Sequence, residues 1–449
     1  MPSEHRLALA VLLTASFTLA IDFSILNVAL PRIGRDVGLP LERLPWVASS
    51  FALCAAGLTL LMGRVADLFG RRRVFLGGIA LLGAASLAGG LAQAPGVLLA
   101  ARAAQGIATA TVMPAALSLL TTTFGEGPLR ERALGLNGAL MAAGFTTGAI
   151  LGGVLTDVLS WRWAFFVNVF VAAGVLAAGP RVLRESHPAE RPRLDVPGAA
   201  TVTLGLLAVV YGVTAREPAA LALGAVLLAA FWVVEQRVAH PLVPVPVLRR
   251  RTVAWGNAAG LVAFASETAL VFLLTLYLQE VLGYSPLEAG LAFAVLGAGT
   301  VLGGLLGPRA IAATSPRTAV AGGLLAQAAA TAPRVVLGSG SGWIGLLLVA
   351  TFLGGVANLV AIVGFMVTAT SGLPDGEQGL ATGLATMSQQ VGITLGIPVM
   401  SAIATARAGV LDGVTLAIAA DAALCFAAAL ALGGGLGAAT PRRAARGTR

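Results

Sequence analysis

Four ionisable side chains stand alone within long apolar runs of this chain: Asp22, Arg102, Glu267 and Asp421. Ionisable groups are costly to bury in apolar surroundings, so they mark functional sites by default. A carboxyl group in a low-dielectric cavity can take up a proton from one side and release it when a cation or an arginine arrives. The residue types therefore suit the exchange of protons for another solute.

Each of these charges has a functional and a structural interpretation. We predict that Asp22 and Arg102 are the proton-coupling pair of the N-terminal half; the alternative is a fixed structural ion pair. Glu267 is predicted to recognise a cationic substrate or to be a second proton site, and the alternative is a satisfied hydrogen bond between helices.

Polar uncharged side chains within the apolar runs are candidates to line a substrate cavity together with Glu267. They are Asn27, Asn137, Asn358, Gln389 and Gln390. For any one of them, ordinary hydrogen bonding between helices is the alternative.

The elements that must position these residues are membrane-spanning helices. Of the 449 residues, 57% are hydrophobic and 11% charged, and the mean hydropathy of +0.89 is too high for soluble domains. A spanning helix needs about 20 apolar residues. Runs of suitable length lie near residues 7–30, 46–64, 74–93, 97–124, 133–156, 163–179, 196–213, 219–234, 253–278, 287–312, 318–332, 343–370, 378–404 and 413–436. We therefore predict an all-α integral membrane protein with fourteen transmembrane helices.

Breaks in the apolar pattern predict three segments. Residues 1–185 form an N-terminal six-helix bundle, residues 186–250 hold linker segments with two extra transmembrane helices, and residues 251–449 form a C-terminal six-helix bundle with a short basic tail. An even number of spans puts both termini on one side, which then carries 21 arginines against 7 on the other. The positive-inside rule predicts that this side is the cytoplasm.

Several function classes are excluded by residues that the sequence lacks. It contains no lysine, so neither a Walker phosphate-binding loop nor a Schiff-base enzyme fits. We find no nucleophile elbow, zinc helix or cysteine cluster, and we predict neither an enzyme nor a metal site. The arginines are dispersed between the spans, so we expect no nucleic-acid partner.

The loop after the second run places a carboxylate beside a cluster of arginines. The residues are Gly63, Asp67, Gly70, Arg71, Arg72 and Arg73. Asp67 could bind arginines or helix N-termini in one state and release them in another, as a conformational latch. The alternative is a cluster that only fixes topology.

The fifth and tenth runs are rich in glycine. The fifth carries Gly135, Gly144, Gly148, Ala149, Gly152 and Gly153, and the tenth carries Gly299, Gly303 and Gly307. Glycines spaced by four residues form a flat face for close helix packing. We predict that the two glycine faces meet between the halves and form a sliding surface.

Four of these segments, in order along the chain, resemble signatures of the major facilitator superfamily. Residues 63–73 resemble the signature G-x-L-x-D-R-x-G-R-K/R, with Leu68 in place of its usual basic residue. Residues 22–31 resemble the aspartate-to-proline motif of the fourteen-span drug:proton antiporter branch, and residues 102–106 its buried-arginine motif. The glycines of the fifth run match the antiporter motif, with Ala149 where the family usually has proline.

The resemblance implies two six-helix bundles with two inserted helices, working by alternating access. It further implies proton-coupled efflux of small lipophilic or cationic molecules, such as drugs or antibiotics, across a bacterial plasma membrane. The partners would be substrate, protons and lipid, with the proton gradient in place of a cofactor and a monomer as the working unit. Because the last helix is peripheral in this family, Asp421 is a weaker candidate than the other buried charges.

Other functions stay open at this point. A dedicated exporter of one endogenous metabolite or lipid fits the same pattern, as does an uncoupled facilitator, because Ala149 lacks the kink of proline. A membrane subunit of an ATPase-driven complex, or a receptor, would have no reason to carry the four motifs.

Overall fold

The computed structural model describes residues 3–40, 43–124, 128–186, 195–238, 241, 245–371 and 378–435. The described chain is helical and contains no strand. Most of the charged stretch before residue 195 and the predicted basic tail after residue 435 lie outside these ranges.

The first part of the described chain forms seven helices. They are α1 (Ser3–Ile25), α2 (Leu30–Val37), α3 (Pro45–Phe69), α4 (Arg71–Gly90), α5 (Pro95–Thr123), α6 (Pro128–Val158) and α7 (Trp163–Val182). The helix α2 is short and is not one of the predicted spans. The first span was predicted to end at Leu30, but α1 ends at Ile25, and Leu30 and Pro31 belong to α2.

Within the described residues from 195 onward, nine helices follow. They are α8 (Val196–Ala215), α9 (Pro218–Arg237), α10 (Val245–Leu248), α11 (Arg251–Leu276), α12 (Pro286–Ala313), α13 (Pro316–Thr331), α14 (Ile344–Thr370), α15 (Gln378–Ala404) and α16 (Val410–Gly435). A π-helical turn, Tyr277–Val281, extends α11, and a 3-10 turn, Ala332–Val336, extends α13.

Each of the fourteen predicted spans coincides with a long helix. By length and composition, eleven helices of the described chain can cross a membrane, and α3 is a twelfth if its two parts count as one span. α3 bends by 55° between Thr59 and Leu61. Thr59 donates a hydrogen bond to the carbonyl oxygen of Ala55, a type of contact that often bends helices. The all-helical membrane fold is confirmed, whereas the count of fourteen spans stays a prediction.

In the part of the chain that the structure describes, two sets of six helices pack in the same order. Ser24 on α1 donates to the carbonyl oxygen of Phe145 on α6 at 2.6 Å, and Thr268 on α11 donates to that of Ile393 on α15 at 3.4 Å. Gly148 lies against Ser24, as Gly396 lies against Thr268. The two halves are thus related by pseudo-symmetry, in which α1 corresponds to α11 and α6 to α15. The domain limits at residues 185 and 250 stay a prediction.

The inserted helices α8 and α9 pack beside the junction of the halves. Thr203 on α8 donates to the carbonyl oxygen of Gly57 on α3 at 2.6 Å. At the end of α8, Arg216 donates to Thr405, which follows α15. It also donates, at 3.4 Å, to the carbonyl oxygen of Ala402 on α15. Only 11% of the most apolar stretch of α9 is buried, so its outer face is suited to lipid. α8 therefore touches both halves, and α9 covers it.

The prediction that the two glycine faces meet each other is wrong. Gly148 packs against α1, where an added Cβ would lie 2.7 Å from the carbonyl oxygen of Ile21; Gly303 packs against α14, 2.5 Å from that of Val356. Gly144 and Gly152 also face α1, and Gly299 and Gly307 also face α14. The four-residue spacing provides close backbone approach within each half, not between halves.

The halves meet instead at neighbouring positions of α6 and α12. A Cβ at Gly153 would lie 2.5 Å from the carbonyl oxygen of Pro286, and one at Gly290 would lie 3.1 Å from that of Ala149. Ala149 is buried in this contact. Gly135 lies on α6, but its surroundings are outside the described part of the structure.

Substitution of Gly148 by leucine is expected to destabilise the N-terminal half. Its side chain would overlap the backbone of α1, and overpacking of this kind costs about 1–3 kcal/mol or more. Thermal unfolding of the purified protein in detergent measures the loss. Gly174→Leu is the matched control because a Cβ there meets nothing within 4 Å, and equal melting temperatures for the two variants would contradict the prediction.

Candidate functional site

Asp22 and Arg102 meet in a fully buried cluster of the N-terminal half. Arg102 Nη1 donates to Asp22 Oδ2 at 3.1 Å, and Arg102 Nε donates to the carbonyl oxygen of Val47 at 3.1 Å. The guanidinium also lies 4.3 Å from the ring centroid of Phe51 on α3, a cation–π distance. The structure thus places the two charges in contact, as both the functional and the structural interpretation require, and their proton-coupling role stays a prediction.

Three further polar side chains complete the cluster. Gln105 Nε2 donates to Asp22 Oδ1 at 3.0 Å and to Ser86 Oγ at 2.8 Å, and Asn168 also donates to Asp22 Oδ1. All five side chains are at most 1% exposed. They come from α1, α4, α5 and α7, so the charge pair ties together four of the six main helices of this half. In this state the Asp22 carboxylate accepts three side-chain donors.

The sequence offered signals for two of these partners. Gln105 belongs to the motif that carries Arg102, three residues further on, which places both side chains on one helix face. Asn168 is a lone polar residue in an otherwise apolar run, as Asn358 is, but it is not among the predicted site residues. Ser86 resembles many small polar residues of membrane helices, and no pattern distinguishes it.

Glu267 lies apart from this cluster, beside a small cavity of the C-terminal half. The cavity has a volume of about 20 Å³ and contains, among its apolar lining, the polar residues Glu267, Gln327, Arg334, Thr351 and Asn358. Within the described part of the chain, the Glu267 carboxylate has no hydrogen bond or ion pair. The alternative of a satisfied hydrogen bond between helices therefore lacks support in this state.

Of the predicted cavity residues, the structure brings only Asn358 to Glu267. Asn358 is 2% exposed and its Nδ2 donates to the carbonyl oxygen of Ala263 at 2.9 Å. Asn137 lies on α6, where its Nδ2 is 3.8 Å from Met141 Sδ. Asn27, Gln389 and Gln390 also lie outside the lining of this cavity. Whether these four residues contact substrate stays a prediction.

The loop between α3 and α4 holds Asp67 against its own arginine. Arg71 donates to Asp67 Oδ1 through Nη2 at 2.9 Å and through Nε at 3.0 Å. Gly70 joins the two helices with a φ of +101°, a conformation that favours glycine. Gly63, one helix turn before Asp67, packs against Pro114 of α5. Asp67 is thus engaged with an arginine in this state, and the release that a latch requires stays a prediction.

A second carboxylate at this loop was not anticipated. Glu185, just after α7, accepts the backbone N–H groups of Arg72 at 2.9 Å and Arg73 at 3.2 Å. An acidic side chain at a helix N-terminus is favourable because the first N–H groups of the helix lack partners. Glu185 therefore anchors the start of α4 to the end of α7. Its carboxylate occupies the space that a side chain at position 70 would need, and the glycine there leaves that space free.

At the opposite end, which we call the α2 end, the two halves are held together by polar contacts. Arg35 Nη1 donates to Glu280 Oε1 at 3.2 Å, and Gln279 Nε2 donates to the carbonyl oxygen of Val28 at 2.7 Å. Both partners of the second half lie on the π-helical turn after α11, and π-helical turns occur frequently at functional sites. With the α6–α12 contact nearby, the α2 end is closed.

Reversal of one charge at the α2 end is expected to open it. Arg35→Glu would place two carboxylates together, and since exposed pairs contribute about 0.2–1 kcal/mol, the ratio of closed to open molecules should fall by about 1.4- to 5-fold. Spin labels would be attached at Leu159 and Leu291, which are exposed and lie on opposite halves. Double electron–electron resonance would then report a larger fraction of molecules with a long distance between the two labels. The double exchange Arg35→Glu with Glu280→Arg should restore the original distances; no change in the single variant would contradict the prediction.

Comparisons with known proteins agree with this architecture. The family model described as Major Facilitator Superfamily matches residues 12–397 and 258–444. The chain is 39% identical over 417 residues to the cephamycin export protein of Amycolatopsis lactamdurans, covering 89% of this chain and 85% of that protein. It is 38% identical over 410 residues to the puromycin resistance protein of Streptomyces alboniger, covering 88% and 81%.

Solved structures show the same fold at lower identity. An auto-inhibited peptide transporter of the POT family aligns with a TM-score of 0.70 at 17% identity, covering 98% of this chain and 99% of that one. A nucleoside transporter aligns with a TM-score of 0.67 at 12% identity, covering 96% and 99%. At these identities the likeness concerns the fold alone.

Proposed function

The chain belongs to the major facilitator superfamily, and from that premise we propose that it exports antibiotic-like small molecules in exchange for protons. It is a multi-pass membrane transporter whose relatives include proteins named for antibiotic export and resistance. The finer statement, that a proton gradient drives the export, is our proposal. We also propose that the protein lies in the cell membrane with both termini cytoplasmic, and that it works as a monomer without a cofactor.

The observation that carries the proposal is the unpaired carboxylate of Glu267. It lies on α11, the first helix of the C-terminal half, beside a cavity with both apolar and polar walls. Such a carboxylate can attract a lipophilic cation, and it can bind a proton when the cation is absent. Competition between the two at one group is the minimal chemistry of antiport.

Alternating access would couple this competition to transport. The closed α2 end supports a state in which access to the cavity is from the opposite end, where α1 begins. Ligands that bind two states with different affinity shift the population between them. Substrate and proton, by binding Glu267 alternately, would bias the halves toward opposite orientations.

A second candidate is a dedicated exporter of one product. The names of the relatives favour it, because several mention a single antibiotic: cephamycin, puromycin or lincomycin. A narrow substrate range would follow from polar groups that fit one molecule, as Glu267 and Asn358 could.

Transport by the purified protein in liposomes tests the proposal. The liposomes would contain a pH-sensitive dye, and lipophilic cations and neutral antibiotics would be added across an imposed proton gradient. Substrate-dependent proton movement supports antiport. Substrate flux without proton movement would replace it with an uncoupled facilitator, and a response to only one compound would favour the dedicated exporter.

A further inference from the structure

The C-terminal half contains a buried counterpart of the Asp22 cluster, with the acid on a different helix. Ser266 lies two residues before Thr268, as Asp22 lies two residues before Ser24, so the pseudo-symmetry gives them corresponding positions. In the N-terminal half, Asn168 of the last helix donates to Asp22 of the first helix. In the C-terminal half the roles are reversed, because Ser266 of the first helix donates to Asp421 of the last helix at 2.7 Å.

The arginine of the cluster has also moved. Arg102 comes from α5, whereas Arg334 comes from the 3-10 turn after α13 and is 1% exposed. Arg334 Nη2 donates to the carbonyl oxygen of Ala350 on α14 at 2.5 Å. No direct ion pair joins Arg334 to Asp421 in the described structure, unlike the contact between Arg102 and Asp22.

The hydrogen-bond network leaves polar atoms of this second cluster without partners. Ser266 uses its proton toward Asp421, so it must accept the 3.2 Å hydrogen bond from Gln327 Nε2, which fixes the orientation of that amide. The atoms then without a partner in the described structure are Gln327 Oε1, Arg334 Nε, Thr351 Oγ1, Asn358 Oδ1 and Asp421 Oδ1. Gln327, Arg334 and Asn358 are 98% buried or more, and buried polar atoms of this kind require an explanation.

The cavity beside Glu267 supplies that explanation. Four of these residues line it, and its volume of about 20 Å³ exceeds the ~10–15 Å³ that one water molecule needs. Water both donates and accepts, so it can serve the Arg334 Nε donor together with the amide and hydroxyl oxygens. A bare metal cation would leave the Arg334 donor unserved and would be repelled by the guanidinium.

We propose that this cluster is a second proton site, in which a proton passes from Glu267 through one bound water and the Ser266 hydroxyl, which Gln327 orients, to Asp421. The exchange is balanced: the Glu267 carboxyl gives its proton to the water, the water gives one to Ser266 Oγ, and Ser266 gives its own proton to the Asp421 carboxylate, so that Glu267 ends as a carboxylate and Asp421 as a carboxylic acid. No other reactant is required. The inference rests on the proposed proton coupling, which it extends to a residue of the last helix.

The groups that face Asp421 fit this role. Arg334, from the turn after α13, is the basic group that faces the acid, and Asp421 itself is 0% exposed. Cys425 lies one turn further along α16 and is buried. Glu280, on the turn after α11, is engaged with Arg35 at the α2 end. Asp421 is therefore the acid balanced between one arginine and burial, without the three donors that hold Asp22.

Infrared difference spectroscopy of the purified protein tests the proposal without transport. On acidification, we expect the wild-type protein to show a carboxyl C=O band that is absent from the spectrum of Asp421→Asn. Asp412→Asn is the matched control, since Asp412 is an exposed acid at the start of the same helix. If Asp421→Asn does not fold, Ser266→Ala should instead shift the frequency of that band. The proposal is overturned if the carboxyl band of Asp421→Asn is the same as that of the wild-type protein, or, where Ser266→Ala replaces that variant, if the band does not shift.

Liposome assays then separate this inference from the proposed function. In Asp421→Asn we expect substrate-induced proton movement to fall to the level of protein-free liposomes, with substrate binding retained. Unchanged proton movement in this variant overturns the relay but not antiport. A carboxyl band lost in Asp421→Asn, with no proton movement in the wild-type protein, would leave the proton site standing and remove the proposed coupling.

Discussion

Asp22→Asn is expected to abolish substrate-induced proton movement while the protein stays folded. Asparagine has the shape of the protonated acid and keeps an oxygen for the hydrogen bonds from Gln105 and Asn168. It removes the charge that holds Arg102 at 3.1 Å, and with it the group that binds the proton. Proton flux into dye-loaded liposomes, measured with and without substrate, is the readout.

Asp22→Ala is expected to have a different consequence. Both substitutions leave Arg102, which is 1% exposed, without its anionic partner, and breaking a buried pair in this way costs about 3–5 kcal/mol. Alanine also removes the oxygen that accepts the hydrogen bonds from Gln105 and Asn168, so the thermal stability of this variant should fall below that of Asp22→Asn. The contrast separates the role of the charge in transport from its role in packing.

Asp157→Asn is the matched control, because Asp157 is a half-exposed acid of the same half with a 4.0 Å contact to Arg32. We expect it to retain both stability and proton movement. If Asp22→Asn also retains substrate-induced proton movement, the cluster is a fixed structural ion pair, and the proton must be carried elsewhere.

The pairing of Asp22 with Arg102 could be predicted because both residues stand alone in apolar runs. A lone charge within a membrane span must find a partner or a cavity, and few partners exist in such a sequence. The helices themselves were predictable for the same reason, since about 20 apolar residues are needed to cross the bilayer. Both predictions depend on strong energetic penalties, which leave plain patterns in the sequence.

Arg334 shows where that argument stops. The predicted apolar run ends at residue 332, before Arg334, but a 3-10 turn continues the helix and buries the side chain against α14. Local turn geometry decided the outcome, and a sequence pattern does not specify it. Glu185 was missed for a related reason, because the N-terminus it anchors is distant in sequence.

The glycine faces of α6 and α12 illustrate a second limit. Their four-residue spacing predicts close packing correctly, but several partner helices would satisfy the same pattern. The structure assigns Gly148 to α1 and Gly303 to α14, and leaves Gly153 for the contact between halves. Spacing indicates the existence of an interface, whereas the partner depends on the whole bundle.

Glu267→Gln is expected to abolish export of cationic substrates with little loss of stability. The carboxylate has no hydrogen bond or ion pair to a described residue, so its replacement by an amide of equal size breaks no contact. It removes the negative charge beside the cavity, which is the feature that would attract a cation or hold a proton. Transport of a lipophilic cation and of a neutral antibiotic, measured side by side in liposomes, gives the readout.

The two substrates distinguish the alternatives for this residue. Loss of cation transport alone assigns Glu267 to substrate recognition, because a neutral molecule does not need the charge. Loss of both, with substrate binding retained, assigns it to proton coupling, because every substrate depends on the exchange. Glu288→Gln is the matched control, since Glu288 caps the start of α12 by bonding the backbone N–H of Ser285 at 2.7 Å, and a glutamine there can keep that bond. Unchanged transport of both compounds by Glu267→Gln would show that this carboxylate takes no part in export; it would also remove the proposed relay to Asp421, and the exchange would then have to proceed through Asp22.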